Sequence, residues 1–457
     1  CGDGRMMTSA TIASSERRVI FGLGATGQSV ARWWRQQGVA FAAVDTRAEL
    51  ADNPAAVADI DLDSAAFGDI DAAFADDCTE MIVSPGVALD HPLVERARGQ
   101  GCRVRGDIDL FVEAAKAPVV GITGSNGKST VTSILGAMIA ACGVKVAVGG
   151  NLGRPALDLL AGEPELYVLE LSSFQLERSE ALGLDLATVL NISADHLDRY
   201  ASLTDYHRAK HAIHKQVGHV VANRDDPLTI PLVPEETPVT WWRSGEPDLK
   251  EFGLLERDSV TWLCRGSERL VCADELQLAG RHNHLNVLAA LALGSALNMP
   301  MEGLIEGAKQ YRGLPHRCEL IGQVNGVRFI DDSKGTNIGA TSAALEGLSG
   351  AGQIWLIIGG QGKGQDFSLL KPVLAQIDVR LLVMGEATAE ICAHLGQDAP
   401  IDVMSSLEDA VNLSAASAQP GDIVLLSPAC ASFDMFTGYV ERGERFQAAV
   451  AALEVAA

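Results

Sequence analysis

Lysine is scarce in this chain, with ten in 457 residues against 59 acidic side chains. Lys and Arg together number 36, so the net charge is 36 − 59 = −23. So acidic a surface repels a nucleic-acid backbone, which excludes nucleic acid as a general partner. Anionic small substrates, held by local positive groups, are not excluded. No run of about 18 uncharged apolar residues occurs, so no membrane span is expected. No C-x-x-C occurs either. The nine cysteines (Cys1, Cys78, Cys102, Cys142, Cys264, Cys272, Cys318, Cys392, Cys430) are scattered. Their odd number and spacing argue for reduced thiols in a cytosol, not for a disulfide frame or a zinc site. There is no secretory signal. Cys1 to Ser15 is small and polar, and its Cys-Gly-Asp-Gly-Arg opening before Met6-Met7 reads as an appended leader. The expected location is cytoplasmic.

Scarcity makes single lysines informative. Four of the ten, Lys128, Lys210, Lys334 and Lys363, lie in the motifs below. At 457 residues the chain exceeds one ordinary core, so two or three domains are expected.

The central motif is Gly121-Ile-Thr-Gly-Ser-Asn-Gly-Lys-Ser-Thr130. An apolar run, Pro118 to Ile122, enters it, and an amphipathic run, Val131 to Ala141, leaves it. Strand, glycine-rich loop and helix in that order present backbone N–H groups and a helix dipole to an anion. Lys128 would reach the outer phosphates and Ser129 would touch Mg²⁺. The strict G-x-x-x-x-G-K-[ST] pattern is not met, because five residues separate Gly121 from Gly127. The alternative is a loop that only caps a helix.

Upstream, Val19-Ile-Phe-Gly-Leu-Gly-Ala-Thr-Gly27 opens a helix, Ser29 to Gln37, and the next strand, Phe41 to Asp45, ends in an acid. This G-x-G-x-x-G with a later Asp fits NAD, another nucleotide diphosphate, or a turn with no ligand. The strand Met81-Ile-Val runs into Ser84-Pro-Gly86, at the strand end where α/β sheets bind ligands. Downstream, Leu166 to Ser173 is a strand carrying Glu170, a carboxylate able to hold Mg²⁺. His196 stands at another strand end between carboxylates and is a candidate metal ligand. Lys210 sits on a helical run, Leu203 to Val217, where physics alone predicts a solvated residue. Residues 221–275 read as strands and turns, with Trp241 and Trp242 as core. Asn283 and Asn286 share one face of a helix's first turn. From Gly313-Leu-Pro-His-Arg317 onward, strands and helices alternate, which predicts a parallel sheet covered on both faces. Polar groups gather at its strand ends, in Asp331-Asp-Ser-Lys-Gly-Thr-Asn337 and Gly359-Gly-Gln-Gly-Lys-Gly364. Three domains, each with a ligand-binding edge, suggest three substrates brought together.

These motifs, with Gly149-Gly-Asn-Leu-Gly153, Glu170-Leu-Ser-Ser-Phe-Gln175, Asn191 to Asp198, His282-Asn-x-x-Asn286 and Ser427-Pro-Ala-Cys-Ala-Ser432, resemble the ATP-dependent Mur ligases. Those amide-bond ligases build the peptide stem of peptidoglycan. The motifs follow the family's order over nearly the whole chain. Gly22 to Ser29, Asp45-Thr-Arg47 and Ser427 to Phe436 place it nearest the branch that adds D-glutamate. The Asp-Asn-Pro-Arg signature of the diamino-acid-adding branch is absent.

The resemblance implies an α/β chain of three domains. They are a Rossmann-like UDP-substrate domain (1–107), a central P-loop ATPase-type domain (108–313) and a Rossmann-like amino-acid-binding domain (314–457). It implies that UDP-N-acetylmuramoyl-L-alanine is activated by ATP as an acyl phosphate and captured by D-glutamate. For ATP it implies Gly124, Ser125, Asn126, Gly127, Lys128, Ser129, Thr130, Asn283, Asn286, Arg317 and Asp332. For the UDP substrate it implies Ala25, Thr26, Asp45, Thr46, Arg47, Gly86, Asn151 and His196. For D-glutamate it implies Thr336, Lys363, Ser432, Phe433 and Tyr439, and Phe433 and Tyr439 stand where the family pattern has Leu and Phe. Two Mg²⁺ ions are implied, one on Ser129 and Glu170, one on His196 and Lys210. Lys210 falls where the family carries a lysine carbamate made from CO₂. Lys128, Glu170, His196 and Lys210 are the implied catalytic set, and a monomer is expected.

Overall fold

Apolar runs bounded by glycine and short polar turns set the strands of three sheets. The computed structural model describes residues 16–53, 57–61, 64–196, 199–258, 260–278, 280–348 and 352–456. Residues 1–15 and the end of the His196 motif, Leu197-Asp198, lie outside these residues. The chain divides into two units. One holds residues 1–116, 149–163 and 172–182, and the other holds the remainder.

In the first unit, β1 (Arg17–Phe21), β2 (Ala42–Asp45), β3 (Ala65–Phe67), β4 (Cys78–Val83) and β5 (Arg103–Arg105) form a parallel sheet in the order β3-β2-β1-β4-β5. The helix after β1 spans Ala25–Gln36 and starts four residues earlier than its sequence pattern suggested. Gly22 (φ +94°) makes the tight turn between them. A Cβ on Gly27 would lie 1.9 Å from the Gly22 carbonyl oxygen, so only glycine lets helix and strand pack.

The second unit contains two sheets. The larger comprises β6 (Val119–Thr123), β7 (Val146–Gly150), β8 (Leu166–Glu170), β9 (Leu186–Val189), β10 (His219–Asn223), β11 (Val239–Trp242), β12 (Phe252–Arg257), β13 (Val260–Arg265) and β14 (Glu268–Cys272). Their order is β14-β13-β12-β11-β10-β9-β6-β8-β7. Strands β12 to β14 are antiparallel. Helix Lys128–Ala141 packs with Arg281–Ala296 and Met301–Gln310 over one apolar core that includes Trp242. Trp241 is half-buried, with the Arg224 guanidinium 3.9 Å from its ring centroid. The helix carrying Lys210 ends at His211, short of Val217, and continues as a 3₁₀ turn, Ala212–His214.

The other sheet has β15 (Glu319–Val324), β16 (Val327–Asp331), β17 (Ile354–Gly359), β18 (Val379–Met384), β19 (Ile401–Val403) and β20 (Ile423–Leu426), in the order β15-β16-β20-β17-β18-β19. Alternate residues feed two cores. Ile354, Leu356 and Ile358 enter one, and Trp355 and Ile357 the other. That is how a parallel sheet covered on both faces reads. The expected all-parallel sheet is corrected at one edge, where β15 is antiparallel to β16. Val324 pairs with Val327 across Asn325-Gly326, whose φ values are +50° and +81°, the geometry of a two-residue hairpin turn.

This packing sets the expected cost of two truncations. Leu425, wholly buried in the central strand β20, should lose about 2–5 kcal/mol as Leu425→Ala. Leu320→Ala, on the 60% exposed edge position, should shift the urea midpoint little. Asp107 begins helix Asp107–Ala114, and burial pushes its carboxyl up to about 6, against a nearby Arg178. A raised folded value makes the ionised form costly, so the folded state holds its proton to higher pH than the unfolded chain does. Relative to Asp107→Asn, the wild type should therefore lose stability as pH rises from about 4 to 6, by about 1.4 kcal/mol for each pH unit crossed. Urea midpoints of both proteins across that range check this.

Candidate functional site

In the second unit the loop Gly124–Gly127 joins β6 to helix Lys128–Ala141. Gly127 has φ +79°, and a Cβ there would meet the Asn286 Oδ1 at 2.6 Å. Conformation and space both demand glycine. The loop is tied to the segment after β9. Ser125 N donates to Asn191 O at 2.9 Å, Asn126 N donates to Asn191 Oδ1 at 2.8 Å, and Asn191 Nδ2 donates back to Asn126 O at 3.0 Å. Ser193 N donates to Ser125 Oγ at 2.9 Å.

Two lysines meet on this loop. Lys128 Nζ donates to Gly124 O at 2.7 Å and to Ser125 O at 2.8 Å. Lys210 Nζ donates to the same Gly124 oxygen at 2.7 Å and lies 4.5 Å from the centroid of the Tyr206 ring. Lys210 is 1% exposed, so the solvated residue expected from a helical position is corrected to a buried one. Burial, then the neighbouring Lys128 charge, hold its amine well below the usual lysine range. Burial lowers Lys128 as well, while Glu170 and Asp195 oppose the shift.

Glu170 ends β8 beside Ile122 of β6 and is buried. Ser129 and Thr130 are buried in the helix's first turn, and Arg317 Nη2 donates to Ser129 Oγ at 2.6 Å. Asn286 Nδ2 reaches the buried Asn283 Oδ1 at 3.4 Å. Asp332 accepts from Ser427 Oγ at 2.7 Å, and burial pushes its carboxyl up to about 7. Lys334 lies 4.1 Å from the Tyr439 ring centroid, and burial, then Arg317, bring its amine down to about 8. Thr336 N bonds Lys334 O, Ser432 is buried, and Phe433 is 71% exposed.

Asp195 is a joining residue that lies within the Asn191 to Asp198 motif but is not among the candidate site residues. It accepts from Asn337 Nδ2 at 3.2 Å, stands 3.6 Å from Lys363 Nζ, and accepts from its neighbour's backbone, His196 N, at 2.9 Å. Burial would raise its carboxyl, and His196, Lys363 and Lys128 more than offset this, leaving it below the usual range. Asn337 Nδ2 also reaches Asn126 Oδ1 at 3.1 Å. His196 holds a left-handed φ of +55°, with Nε2 3.7 Å from Asp195 Oδ2. The position of Asp195 beside His196 is visible in sequence, but its partner Asn337 lies 142 residues away.

In the first unit, Ala25 and Thr26 begin the helix after Gly24. Asp45, at the end of β2, accepts from Leu23 N at 2.7 Å and from Arg47 Nε and Nη2 at 2.9 and 2.8 Å. Burial would raise it, but these bonds hold its carboxyl below the usual range. Thr46 is exposed beside it, and no side-chain atom would crowd a Cβ on Gly86. Asn151, central in sequence, belongs to this unit and is exposed. Buried Arg178 donates to Val83 O at 3.4 Å and to the neighbouring Ser84 O, bracing the turn before Gly86. No motif or spacing points to that role for Arg178.

A strand-to-helix turn with two lysines on one carbonyl, beside the buried carboxylates of Glu170 and Asp195, has chemistry suited to polyphosphate and a hard divalent cation. Three family models match the chain. They are a Mur ligase MurD-like N-terminal domain over residues 16–106, a Mur ligase middle domain over 122–294, and a Mur ligase glutamate ligase domain over 316–430. The UDP-N-acetylmuramoylalanine--D-glutamate ligase of Acinetobacter baylyi is 47% identical over 442 residues, covering 95% of this chain and 98% of that protein. The protein of the same name from Pseudomonas aeruginosa is 46% identical, covering 96% and 98%. Among solved structures, the UDP-N-acetylmuramate-alanine ligase of Thermotoga maritima matches with a TM-score of 0.60 at 18% identity, over 96% of this chain and 99% of that one. A pseudomurein peptide ligase type C from Methanothermus fervidus gives 0.59 at 18%, over 91% and 97%. These two share the fold. With all three domain models in order and relatives similar end to end, the chain belongs to the Mur ligase family.

Proposed function

We propose that this chain joins D-glutamate to UDP-N-acetylmuramoyl-L-alanine in peptidoglycan precursor synthesis, driven by ATP cleavage to ADP and phosphate. The observation that carries the reading is the meeting of Lys128 and Lys210 on the Gly124 carbonyl, in a chain whose relatives bear that activity's name from end to end. The activity is that of a Mur ligase, ATP-dependent and Mg²⁺-requiring.

Gly124 to Thr130 cradles the ATP phosphates, with Lys128 and Arg317 opposing their charge. Asn283, Asn286 and Asp332 hold base and ribose. Ala25, Thr26, Asp45, Thr46, Arg47 and Gly86 hold the uridine diphosphate, and Asn151 and His196 the sugar-peptide part. Thr336, Lys363 and Ser432 hold D-glutamate carboxylates through a cation and hydroxyls, beside Phe433 and Tyr439. In the domain division 1–107, 108–313 and 314–457, most uridine-diphosphate residues fall in the first part, the phosphate loop in the second and the D-glutamate residues in the third. Because one chain supplies every role, a cytoplasmic monomer suffices.

The substrate carboxylate attacks the γ-phosphorus and ADP leaves. The D-glutamate amine then attacks the acyl carbon, loses a proton, and phosphate leaves. Carboxylate and ATP repel each other, so buried cations must balance the charge as it moves. The Ser129 hydroxyl and Glu170 carboxylate are hard oxygen donors, which fits Mg²⁺. A second ion would fall to His196 and Lys210. Bound there, Mg²⁺ would neutralise phosphate charge. Lys210 suits this only as a carbamate. Burial holds its amine well below the usual lysine range, which favours the neutral form that adds to CO₂. An N–C bond forms, one N–H proton is lost, and the side chain gains a carboxylate.

Phosphate release from ATP with UDP-N-acetylmuramoyl-L-alanine and a panel of amino acids should depend on D-glutamate. Release supported instead by L-alanine, or by a folate in place of the UDP substrate, would overturn the assignment. ATP binding with no product under any combination would point to a regulatory nucleotide-binding protein. Lys210→Ala should lose on the order of 10²–10³ in kcat and regain part of it with added short carboxylates. Loss without rescue would count against the carbamate.

A further inference from the structure

Cys78 and Cys102 meet in the first unit, and neither belongs to the substrate-binding residues. Their sulfurs are 2.9 Å apart, and both are free thiols. A register shift explains how they meet. On β1, Arg17 pairs with Cys78 but Arg18 pairs with Glu80, so Thr79 is an extra residue in β4. In a regular strand, Met81 and Val83 would share a face with Thr79, and Cys78 would point the other way. The bulge turns Cys78 onto the Met81 face instead. Cys102, just before β5, lies on that same face, and both thiols join one core cluster with Met81, Val83 and Val104. The parallel pairing of β4 with β5, Glu80 to Arg103, fixes the two chains side by side. Each cysteine keeps slight exposure, 5% and 6%.

We propose that Cys78 and Cys102 form a reversible redox pair that closes to a disulfide when the protein meets a peroxide. In that step, with hydrogen peroxide, the Cys78 thiol gives up its proton and the thiolate attacks one peroxide oxygen. The O–O bond breaks, a sulfenic acid forms, and the released hydroxide takes that proton and leaves as one water. The Cys102 sulfur then attacks the Cys78 sulfur, the S–S bond forms, and the sulfenic oxygen leaves as the second water. Two electrons pass from the two sulfurs to the peroxide, and a dithiol reductant reverses the step. The environment favours Cys78 as the attacking sulfur. The Cys102 thiol donates to it, and the Arg17 charge adds to the lowering, while burial and the Glu80 charge resist it. Cys102 is held up, chiefly by the same hydrogen bond.

The test uses the full-length native protein. It is exposed to stoichiometric hydrogen peroxide, its remaining thiols are blocked with N-ethylmaleimide, and it is digested without reduction for mass spectrometry. The expected result is one cross-linked peptide pair joining Cys78 to Cys102. Titratable thiols should fall from nine to seven per chain and return with dithiothreitol. In Cys102→Ser the cross-link should vanish, and dimedone should trap a sulfenic acid on Cys78. The proposal is overturned if both cysteines of the wild type carry N-ethylmaleimide while other cysteines are oxidised. It is equally overturned if dimedone traps Cys78 in the wild type with no cross-link formed.

Discussion

One carbonyl oxygen receiving two lysine side-chain nitrogens is the constraint on which the second unit's site depends. Gly124 O accepts from Lys128, four residues along the loop, and from Lys210, 86 residues away. Both amines rest on backbone oxygens here, so peptide dipoles carry the solvation that water would otherwise supply. Such an arrangement holds only if the loop cannot move. The reciprocal bonds of Asn191 with Asn126, and of Ser125 with Ser193, fix it to the strand end. Gly127 lets Asn286 press against it from the other side. Desolvated amines and a rigid anion cradle are thus produced by one set of contacts.

The parts of this site that are legible in sequence are those whose chemistry is local. Gly124 to Thr130 carries its conformation, its cation and its hydroxyl within one turn. Asp45 and Arg47 are likewise two residues apart and clasp each other. What stays hidden depends on distant partners. Asp195 takes its meaning from Asn337 and Lys363, which neither spacing nor composition ties to it. Lys210 looks like a surface lysine because a helix period cannot say which face a fold will bury. The family resemblance marks it, and burial supplies the physical reason.

The sheets show the same division. Strands buried on both faces, such as Ile354–Gly359 and Val379–Met384, are largely unbroken apolar runs and stand out. Strand β15 mixes Glu, Leu, Gly and Gln at a half-exposed sheet edge, so its pattern is faint. Its clearest mark is the dipeptide Asn325-Gly326, which takes left-handed backbone at both positions and so announces a hairpin. Strand β12 is equally faint, because its apolar half, Phe252 to Leu255, is brief and its remainder is charged and exposed.

The division of the chain into two units has a further meaning for how the protein could be taken apart. The backbone passes between the units five times, at 116/117, 148/149, 163/164, 171/172 and 182/183. A single protease nick in any one of these passages leaves at least one fragment that still spans both units. A fragment ended at residue 107 would also leave behind the residues 149–163 and 172–182 that complete its unit, including Arg178 and its bonds to Val83 and Ser84. Gene fusions or split versions of this chain therefore have no clean seam on the N-terminal side of Gly183.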